Sequence, residues 1–328
     1  MTTTQAAPRQ EPGAPEPQER SPSPARGSGG GRLTPPWLPW LLQAPALLVL
    51  GGLLVYPLLW VVTLAFQDFN LRELRTGGFH WSGLDNFREI LGDSTLWQVA
   101  LPNTVVFAAV NVALTVVVGT LVAMLLLRLG PWLRGVLTGA IMVAWAMPAV
   151  TGTYVWVYIF DTSDGMVMRL LSTLGLADPD TTNWFTDRAA FFGIATLNVV
   201  HHGFPFVAIT VLAGLLTVPK EVLESAELDG AGAWRRFWHI TFPLMKPIFA
   251  VVVVLSTIWD FKVFTQIYLM PGGSGTNREV LNLGTWSYVT ALSQNRYGSG
   301  AAIAVVLTLL LLGITLVYLR TLFKQEEL

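Results

Sequence analysis

The chain alternates between long apolar segments and shorter polar ones, and this alternation is the strongest pattern in the sequence. Each apolar segment has about 20 or more residues with few charges, the length that an α-helix needs to cross the hydrocarbon core of a bilayer. We count six such segments, at about residues 38–66, 101–127, 136–160, 191–218, 247–270 and 300–323. The pattern therefore predicts an all-α polytopic membrane protein with six transmembrane helices.

One polar loop, residues 219–246, separates the fourth and fifth apolar segments and is rich in charged residues. Such a segment must lie in water. Pro219 suits the first turn of a helix, where its missing N–H needs no partner. Asp229 and Gly230 predict a stop, since glycine tolerates the left-handed conformation of a helix end. We expect two short helices with a bend, the second from about Ala231 to Ile240; an ordinary connecting loop is the alternative.

The composition agrees with a membrane protein and excludes several other classes. Apolar residues make up 52% of the chain and charged residues 12%, whereas an average soluble domain has about 25% charged residues. A net charge of −1 gives no reason to expect a nucleic-acid partner. The chain has no cysteine, which excludes disulfides and thiolate metal sites.

Residues 1–36 differ in composition from the rest of the chain. They contain eight prolines, a Gly-Ser-Gly-Gly-Gly run and almost nothing apolar, so they cannot bury a core. They are not a signal peptide, because no short apolar region with a small-residue cleavage site follows. We expect a disordered Pro/Gly-rich tail at 1–36 and a transmembrane domain at 37–328.

The positions of Lys and Arg predict the orientation, since cytoplasmic segments of membrane proteins are enriched in both residues. With the N-terminus inside, twelve of them fall in cytoplasmic segments and seven in outer loops, while Lys262 lies inside a helix. The 219–246 loop and both termini are therefore expected in the cytoplasm.

Polar side chains inside the fourth helix are candidates for function, because such groups are unfavourable in hydrocarbon. Asn198, His201 and His202 lie within about 100° on one face at 3.6 residues per turn. Either a hydrogen bond within the helix bundle or contact with a substrate would account for the histidines. Metal ligation is disfavoured, because adjacent histidines point about 100° apart on a helix and no other histidine is near in sequence.

The fifth helix carries a second polar group, in which Trp259, Lys262 and Gln266 are expected to share one face. Asp260 lies about 160° from Lys262 on a regular helix, so the two side chains cannot pair with each other. Two roles remain possible for Asp260: an ion pair across a subunit interface, or a position in a hydrated cavity. A third stripe along the second helix, Thr104, Asn111 and Thr115, favours helix–helix packing.

Hydrogen-bonding groups combined with aromatic faces are suited to binding a sugar. The candidate residues of such a substrate path are Asn198, His201, His202, Trp259, Asp260, Lys262 and Gln266. No pattern in the chain predicts a catalytic centre or a resident metal. It also lacks the Gly-x-x-x-x-Gly-Lys-Ser/Thr phosphate loop, so any energy from ATP has to come from a partner.

The 219–246 loop resembles the cytoplasmic coupling motif of ATP-binding-cassette (ABC) importer permeases: Glu-Ala-Ala, three residues, Gly, nine residues, Ile, one residue, Leu-Pro. Glu224-Ser225-Ala226 stands for the first part, and Gly230 follows at the required spacing. Ile240 and Phe242-Pro243 close the motif, and Asp229 and Arg235 also fit. The departures are Ser225 for alanine and Phe242 for leucine.

The resemblance extends over most of the chain from about Trp37. Residues 81–87 and 101–104 look like the segment before the second helix of maltose-type sugar permeases. Residues 267–273 and 297–302 look like the last outer loop of the F-like partner in maltose permeases.

The resemblance implies a type I ABC importer permease fold in a bacterial plasma membrane, with the 219–246 loop as coupling helix between helices 4 and 5. It implies a second permease subunit, usually in a heterodimer, two cytoplasmic ATPase subunits that bind ATP and Mg²⁺, and an extracytoplasmic solute-binding protein. No cofactor is expected on this chain. The motif residues expected to contact the ATPase are Glu224, Ala226, Asp229, Gly230, Arg235, Ile240 and Pro243.

The expected function is to form the translocation path for a sugar or oligosaccharide, without catalysis by this chain. Lys262 leaves open the same machinery for another solute such as glycerol phosphate. A less favoured alternative is an ion-coupled secondary transporter with Asp260 or His201 as its proton site. An intramembrane enzyme built on the two histidines has too few metal ligands.

Overall fold

The computed structural model describes the backbone of residues 37–271 and 277–326 and the side chains of these ranges up to Arg320. The tail at 1–36 lies outside the described residues, as do Gly272 and Gly273 of the last outer loop. Every regular element of the described residues is helical, and they form no β-strand. The predicted all-α architecture is confirmed.

The chain divides into two compact units, Met1–Val55 and Tyr56–Leu328. In the first unit, α1 (Leu38–Leu50) is followed by a π-helical turn at Gly51–Val55. None of the α1 side chains is buried. A helix that is apolar on every side is suited to the interior of a membrane.

The second unit contains all the remaining helices. In chain order they are α2 (Tyr56–Ala65), α3 (Leu71–Thr76), α4 (Asp85–Gly92), α5 (Leu101–Arg128), α6 (Pro131–Trp145), α7 (Ala149–Ile159), α8 (Met166–Thr173), α9 (Arg188–Leu215), α10 (Lys220–Leu228), α11 (Ala233–Arg236), α12 (Phe242–Leu244), α13 (Lys246–Phe261), α14 (Thr265–Leu269), α15 (Leu283–Tyr288) and α16 (Tyr297–Glu326). The short helices α3, α4, α8 and α15 lie within the segments predicted as outer loops.

Five helical spans in the described residues are long and apolar enough to cross a membrane, and α6 with α7 forms a sixth, broken one. The five are Leu38–Ala65, Leu96–Arg128, Arg188–Leu215, Lys246–Leu269 and Tyr297–Arg320. The second begins five residues before its predicted start, because a π-helical turn at Leu96–Ala100 precedes α5.

The third predicted span, 136–160, is not one straight helix. It begins earlier, at Pro131, and α6 and α7 meet at an angle of 91°. Pro148 lies between them in an extended conformation. A proline has no N–H for helical hydrogen bonding and clashes with the preceding turn. The helix therefore breaks here, although the apolar residues continue through the break.

The most extensive helix packing in the second unit joins α5 to α9. A Cβ atom on Gly119 would lie 2.6 Å from the Cβ of Val207 and 3.1 Å from the backbone nitrogen of Ala208. The backbones of α5 and α9 are therefore so close at Gly119 that a residue with a side chain at this position would displace its neighbours. Small residues allow this approach in membranes, where helix association depends on close van der Waals packing.

Hydrogen bonds fix both ends of α5. At the N-terminal end, Arg188 of α9 donates to Asn103 Oδ1 at 2.6 Å, and Asn103 Nδ2 donates to the carbonyls of Glu279 and Leu281. At the other end, the Arg134 guanidinium donates to the carbonyls of Leu126, Leu127 and Leu129. The last carbonyls of a helix lack the N–H donors of a following turn. The Leu126 carbonyl also accepts from the N–H of Leu129, and Arg134 adds a donor to all three carbonyls.

We expect Gly119→Ala to lower the free energy of unfolding by about 1–3 kcal/mol, the usual effect of overpacking a close contact. The matched control is Gly139→Ala in α6, where a Cβ meets nothing within 4 Å. That change should be neutral or stabilising, because alanine favours helix more than glycine does. Thermal unfolding of the detergent-purified variants measures both, and equal stability of the two would contradict the packing described.

Candidate functional site

The 219–246 loop forms a helical elbow. Its first arm is α10, with Pro219 at the N-cap in an extended conformation rather than inside the helix. The second arm begins at Ala233, two residues later than expected, and α11 continues through a π-helical turn at Phe237–Thr241 into α12. The predicted pair of short helices with a bend is present, and the second one extends past Ile240 to Leu244.

Gly230 makes the bend. Its φ is +79°, in the region that only glycine adopts without strain. The N–H of Ala231 donates to the carbonyl of Ala226 at 2.9 Å and the N–H of Gly230 to that of Glu227 at 3.0 Å, which closes the end of α10. A Cβ at Gly230 would meet nothing within 4 Å, so the requirement is conformational rather than steric.

The elbow presents its side chains to the surroundings. No residue of α10 is buried. Leu228 is 89% exposed and Trp234, across the bend, is 76% exposed. Of the expected contact residues, Glu224, Asp229, Gly230, Arg235 and Pro243 are exposed, and Ala226 and Ile240 are half-buried.

An ion pair that the sequence analysis missed holds the two arms together. The Arg236 guanidinium of α11 pairs with the Glu227 carboxylate of α10. The two residues are nine positions apart, so no helical spacing relates them, and only the bend at Gly230 brings them together. The pair adds one contact between the arms, and the conformation of Gly230 determines the bend.

Aromatic contacts connect the elbow to the membrane helices. The Phe237 ring lies 6.3 Å from Phe242, and Phe242 lies 5.2 Å from Phe249, measured between ring centroids. Phe249 is buried in α13, in the cluster that also includes Val207 and Val211 of α9. The second arm of the elbow is therefore in contact with the first turn of α13.

The candidate path residues differ in burial. Asn198 and Asp260 are buried, and neither Asn198 Nδ2 nor Asp260 Oδ2 has a hydrogen-bond partner among the described residues. Gln266 is also buried. The remaining members are His201, Trp259 and Lys262, which are exposed, and His202, which is half-buried.

The shared face predicted for Trp259, Lys262 and Gln266 is wrong, because α13 stops at Phe261. Lys262 is its C-cap, residues up to Phe264 are irregular, and Gln266 belongs to α14. The helical period does not continue across such a break, so angles counted through it have no meaning. Neither Asp260 nor Lys262 forms an ion pair with another described residue.

Two breaks in membrane helices converge on one side chain that the sequence analysis did not select. The Phe206 ring of α9 lies 4.8 Å from Trp259, near the end of α13, and 6.4 Å from Trp145, the last residue of α6. Irregular backbone at membrane depth is tolerated only where protein covers it or where it lines a water-filled cavity. Phe206 therefore lies close to two helix breaks, where backbone N–H and C=O groups lack their regular helical partners.

A second aromatic contact involves the histidines. The His201 ring lies 5.9 Å from Trp156 of α7 and 6.2 Å from Phe204. The structure thus groups His201 with Trp156, and Trp259 with Phe206 and Trp145. Nothing in the sequence distinguishes these aromatic residues from others in apolar segments.

None of the candidate path residues lines the four cavities described for residues 37–271 and 277–320. Four cavities of 240 to 810 Å³ are lined by other residues of the described chain. Among the described residues, no group of three His, Cys, Asp or Glu side chains is arranged to hold a metal ion. The structure therefore leaves the candidate residues in two groups, one beside Trp156 and one beside Phe206.

Comparison with known proteins assigns the chain to a family. The model for the binding-protein-dependent transport system inner membrane component matches residues 115–326. The diacetylchitobiose uptake system permease protein DasB of Streptomyces coelicolor is 40% identical, over 88% of this chain and 88% of its own length. The trehalose transport system permease protein SugA of Mycobacterium tuberculosis is 30% identical, over 85% and 86%.

A solved structure shows the same fold. One chain of a bacterial ABC transporter involved in the import of the acidic polysaccharide alginate aligns with a TM-score of 0.73 at 21% identity. The alignment covers 87% of this chain and 94% of that chain. The predicted ABC importer permease fold is thereby confirmed.

The match to the family model includes α9, the elbow, the break after α13 and the aromatic residue Phe206. It favours a non-catalytic membrane transport component over the ion-coupled carrier and the intramembrane enzyme that polar residues alone left open. This chain belongs to the family of inner membrane components of binding-protein-dependent transport systems.

Proposed function

We propose that this chain is one of two permease subunits, paired as a heterodimer, that form the path of a bacterial importer for a sugar or oligosaccharide. An extracytoplasmic solute-binding protein delivers the solute, and two cytoplasmic ATPase subunits that bind ATP and Mg²⁺ supply the energy. The names of the relatives support a carbohydrate, since they specify diacetylchitobiose, trehalose, and trehalose/maltose in Thermococcus litoralis.

The observation that carries this proposal is the exposed apolar surface of the elbow. Leu228 and Trp234 are exposed on either side of the Gly230 bend, in a loop whose charges require water. Exposed apolar side chains rimmed by polar groups mark protein interaction sites. Because the chain has no phosphate loop of its own, the partner at this surface is an ATPase.

The elbow residues have separate parts in this contact. Glu224 and Asp229 present carboxylates and Arg235 a guanidinium, which set the register against the partner. Ala226 and Ile240 are half-buried and hold the arms close to the rest of the protein. Gly230 sets the angle, and Pro243 begins the return into the membrane.

Closure of the ATPases on ATP then moves the elbow as a rigid body. The Glu227–Arg236 pair keeps the two arms at a fixed angle, and Phe237, Phe242 and Phe249 carry the displacement into α13. Rigid-body rotation of this kind alternates the path between outward and inward states.

The substrate path lies at the two helix breaks. Trp259, Lys262 and His201 are exposed on this chain, so they form one wall, and the second permease supplies the other. Asn198 Nδ2 and Asp260 Oδ2 are buried in this conformation and have no hydrogen-bond partner among the described residues. Because a buried polar group without a partner is unfavourable, we expect both atoms to gain partners when the path changes state. His202 and Gln266 complete the polar groups at this level.

This arrangement requires the elbow, and with it both termini, to lie in the cytoplasm. The excess of Lys and Arg on the same side supports that orientation. The Asp161 turn, which follows α7, then lies outside. There the backbone N–H groups of Asp164 and Ser163 donate to the Asp161 carboxylate and hold its pKa below the ordinary value.

We expect Gly230→Ala to abolish most of the ATP hydrolysis that loaded binding protein stimulates, while the assembled complex still forms. The left-handed conformation is about 1–2 kcal/mol less favourable for a residue with a side chain. This difference lowers the population of the bent elbow that can dock on the ATPase by about tenfold. The measurement is ATPase activity of the reconstituted complex with loaded binding protein.

Gly232→Ala is the matched control, because Gly232 has a negative φ and open space at its Cβ position. It should retain stimulation close to that of the unmodified protein. Full stimulation in Gly230→Ala would contradict the role given to the elbow.

A second candidate solute is an anion such as glycerol phosphate, which Lys262 favours because its ammonium has no carboxylate partner among the described residues. Lys262→Gln separates the two. For a neutral sugar the change should slow transport by less than about tenfold, since glutamine still forms neutral hydrogen bonds. For an anion the loss should exceed about tenfold, because charge-assisted bonds are roughly twice as strong.

Transport of labelled solute into proteoliposomes measures this difference, and Lys262→Arg is the control that keeps the charge. A transport rate that falls strongly in Lys262→Gln but stays high in Lys262→Arg would contradict a sugar substrate and support an anionic solute.

A further inference from the structure

A groove of 810 Å³ runs along α5 on a flank that also meets α13, α16 and the second arm of the elbow. Its walls are almost entirely apolar, with Val117 and Leu121 from α5, Phe249 from α13, and Phe237 and Trp238 from the elbow. Val117 and Leu121 are largely exposed. The groove is therefore an open apolar surface, separate from the substrate path at Phe206.

Two cations lie at one end of this groove. Arg128 is the last residue of α5 and Lys246 the first of α13, and they are the only charged residues among those that line the groove. No carboxylate lines it, and neither cation forms an ion pair with a described residue. Lys246 also lies at a helix N-terminus, whose dipole adds positive potential.

The length of the groove matches one leaflet of a bilayer. Its α5 wall extends from Val116 to Arg128, which is about 18 Å at 1.5 Å per residue. The hydrocarbon of one leaflet is about 15 Å thick, half of the bilayer core. Trp234 and Trp238 line the elbow side of the groove, and tryptophan is enriched at the membrane–water interface.

We propose that this groove binds an anionic phospholipid of the cytoplasmic leaflet. An acyl chain lies along Val117, Leu121 and Phe249, and the phosphate lies between Arg128 and Lys246. Basic pockets between membrane helices on the cytoplasmic side suit anionic headgroups. The identity of the leaflet rests on the orientation given in the proposed function.

The site would also support the elbow. A smaller cavity of 360 Å³ shares Met124, Arg128, Ala233 and Phe237 with the groove and extends to Glu224 and Glu227 of α10. A lipid in the groove fills the space behind the second arm, so its loss leaves that arm less supported. ATP hydrolysis by the assembled complex should therefore depend on anionic lipid.

A photo-crosslinking amino acid at Leu121 tests the occupant in the full complex. Leu121 is 61% exposed inside the groove, and Val106, 60% exposed on the same helix but outside it, is the control. In nanodiscs with equal phosphatidylglycerol and phosphatidylcholine, mass spectrometry should find mainly phosphatidylglycerol on Leu121. Val106 should capture both lipids equally or the neighbouring protein.

Removing the charges should remove this selectivity. Each cation near the surface favours anionic lipid by about fivefold, so Arg128→Gln with Lys246→Gln should lower the preference at Leu121 by about 25-fold. Arg320→Gln, an exposed cation that does not line the groove, should leave it unchanged.

Two results would overturn the proposal: crosslinking of Leu121 to the second permease subunit, which would identify a protein occupant, or equal capture of both lipids by the unmodified protein. The adduct is read on this chain alone and needs no ATP hydrolysis. A failure of the lipid site is thus distinguished from a failure of the importer assignment, which would appear as absence of the ATPase subunits from the purified complex.

Discussion

The absence of water in the hydrocarbon core is the constraint on which the rest of this structure depends. Backbone polar groups there must be bonded within a helix, covered by protein, or placed beside a hydrated cavity. The chain departs from continuous helix between Trp145 and Ala149 and again between Phe261 and Thr265. Both departures meet at Phe206. Breaks that are unfavourable elsewhere are thus concentrated at one level, which is where we place the solute.

The elbow and the path are connected by one helix. Phe249 in the first turn of α13 contacts the second arm through Phe242, and the last turn of α13 carries Trp259 and Asp260. The helix of 16 residues is about 24 Å long. Because a packed helix moves as a unit, we propose that a displacement at the elbow reaches the proposed path through this helix. Close packing of α5 on α9 at Gly119 provides the fixed frame for this movement.

Much of this architecture could be predicted from the sequence, because apolar length and the conformational preference of glycine are local properties. They located the membrane segments and the bend at Gly230. The break after α13 could not be predicted, since no proline or glycine marks it and apolar residues continue on both sides of Lys262. The Glu227–Arg236 pair exists only after the chain bends. The candidate path residues lie in two groups within this chain, and the common role proposed for them depends on the proposed second subunit.

Accessibility of the elbow tests the central claim that it lies in the cytoplasm and receives force from the ATPases. The chain has no cysteine, so Leu228→Cys introduces a unique thiol at an apolar position of the elbow that is 89% exposed. A membrane-impermeant maleimide should label it in inside-out vesicles stripped of ATPase subunits, not in intact cells, and rebinding of the ATPases should protect it. Labelling from outside the cell, or equal labelling with the ATPases bound, would contradict the account.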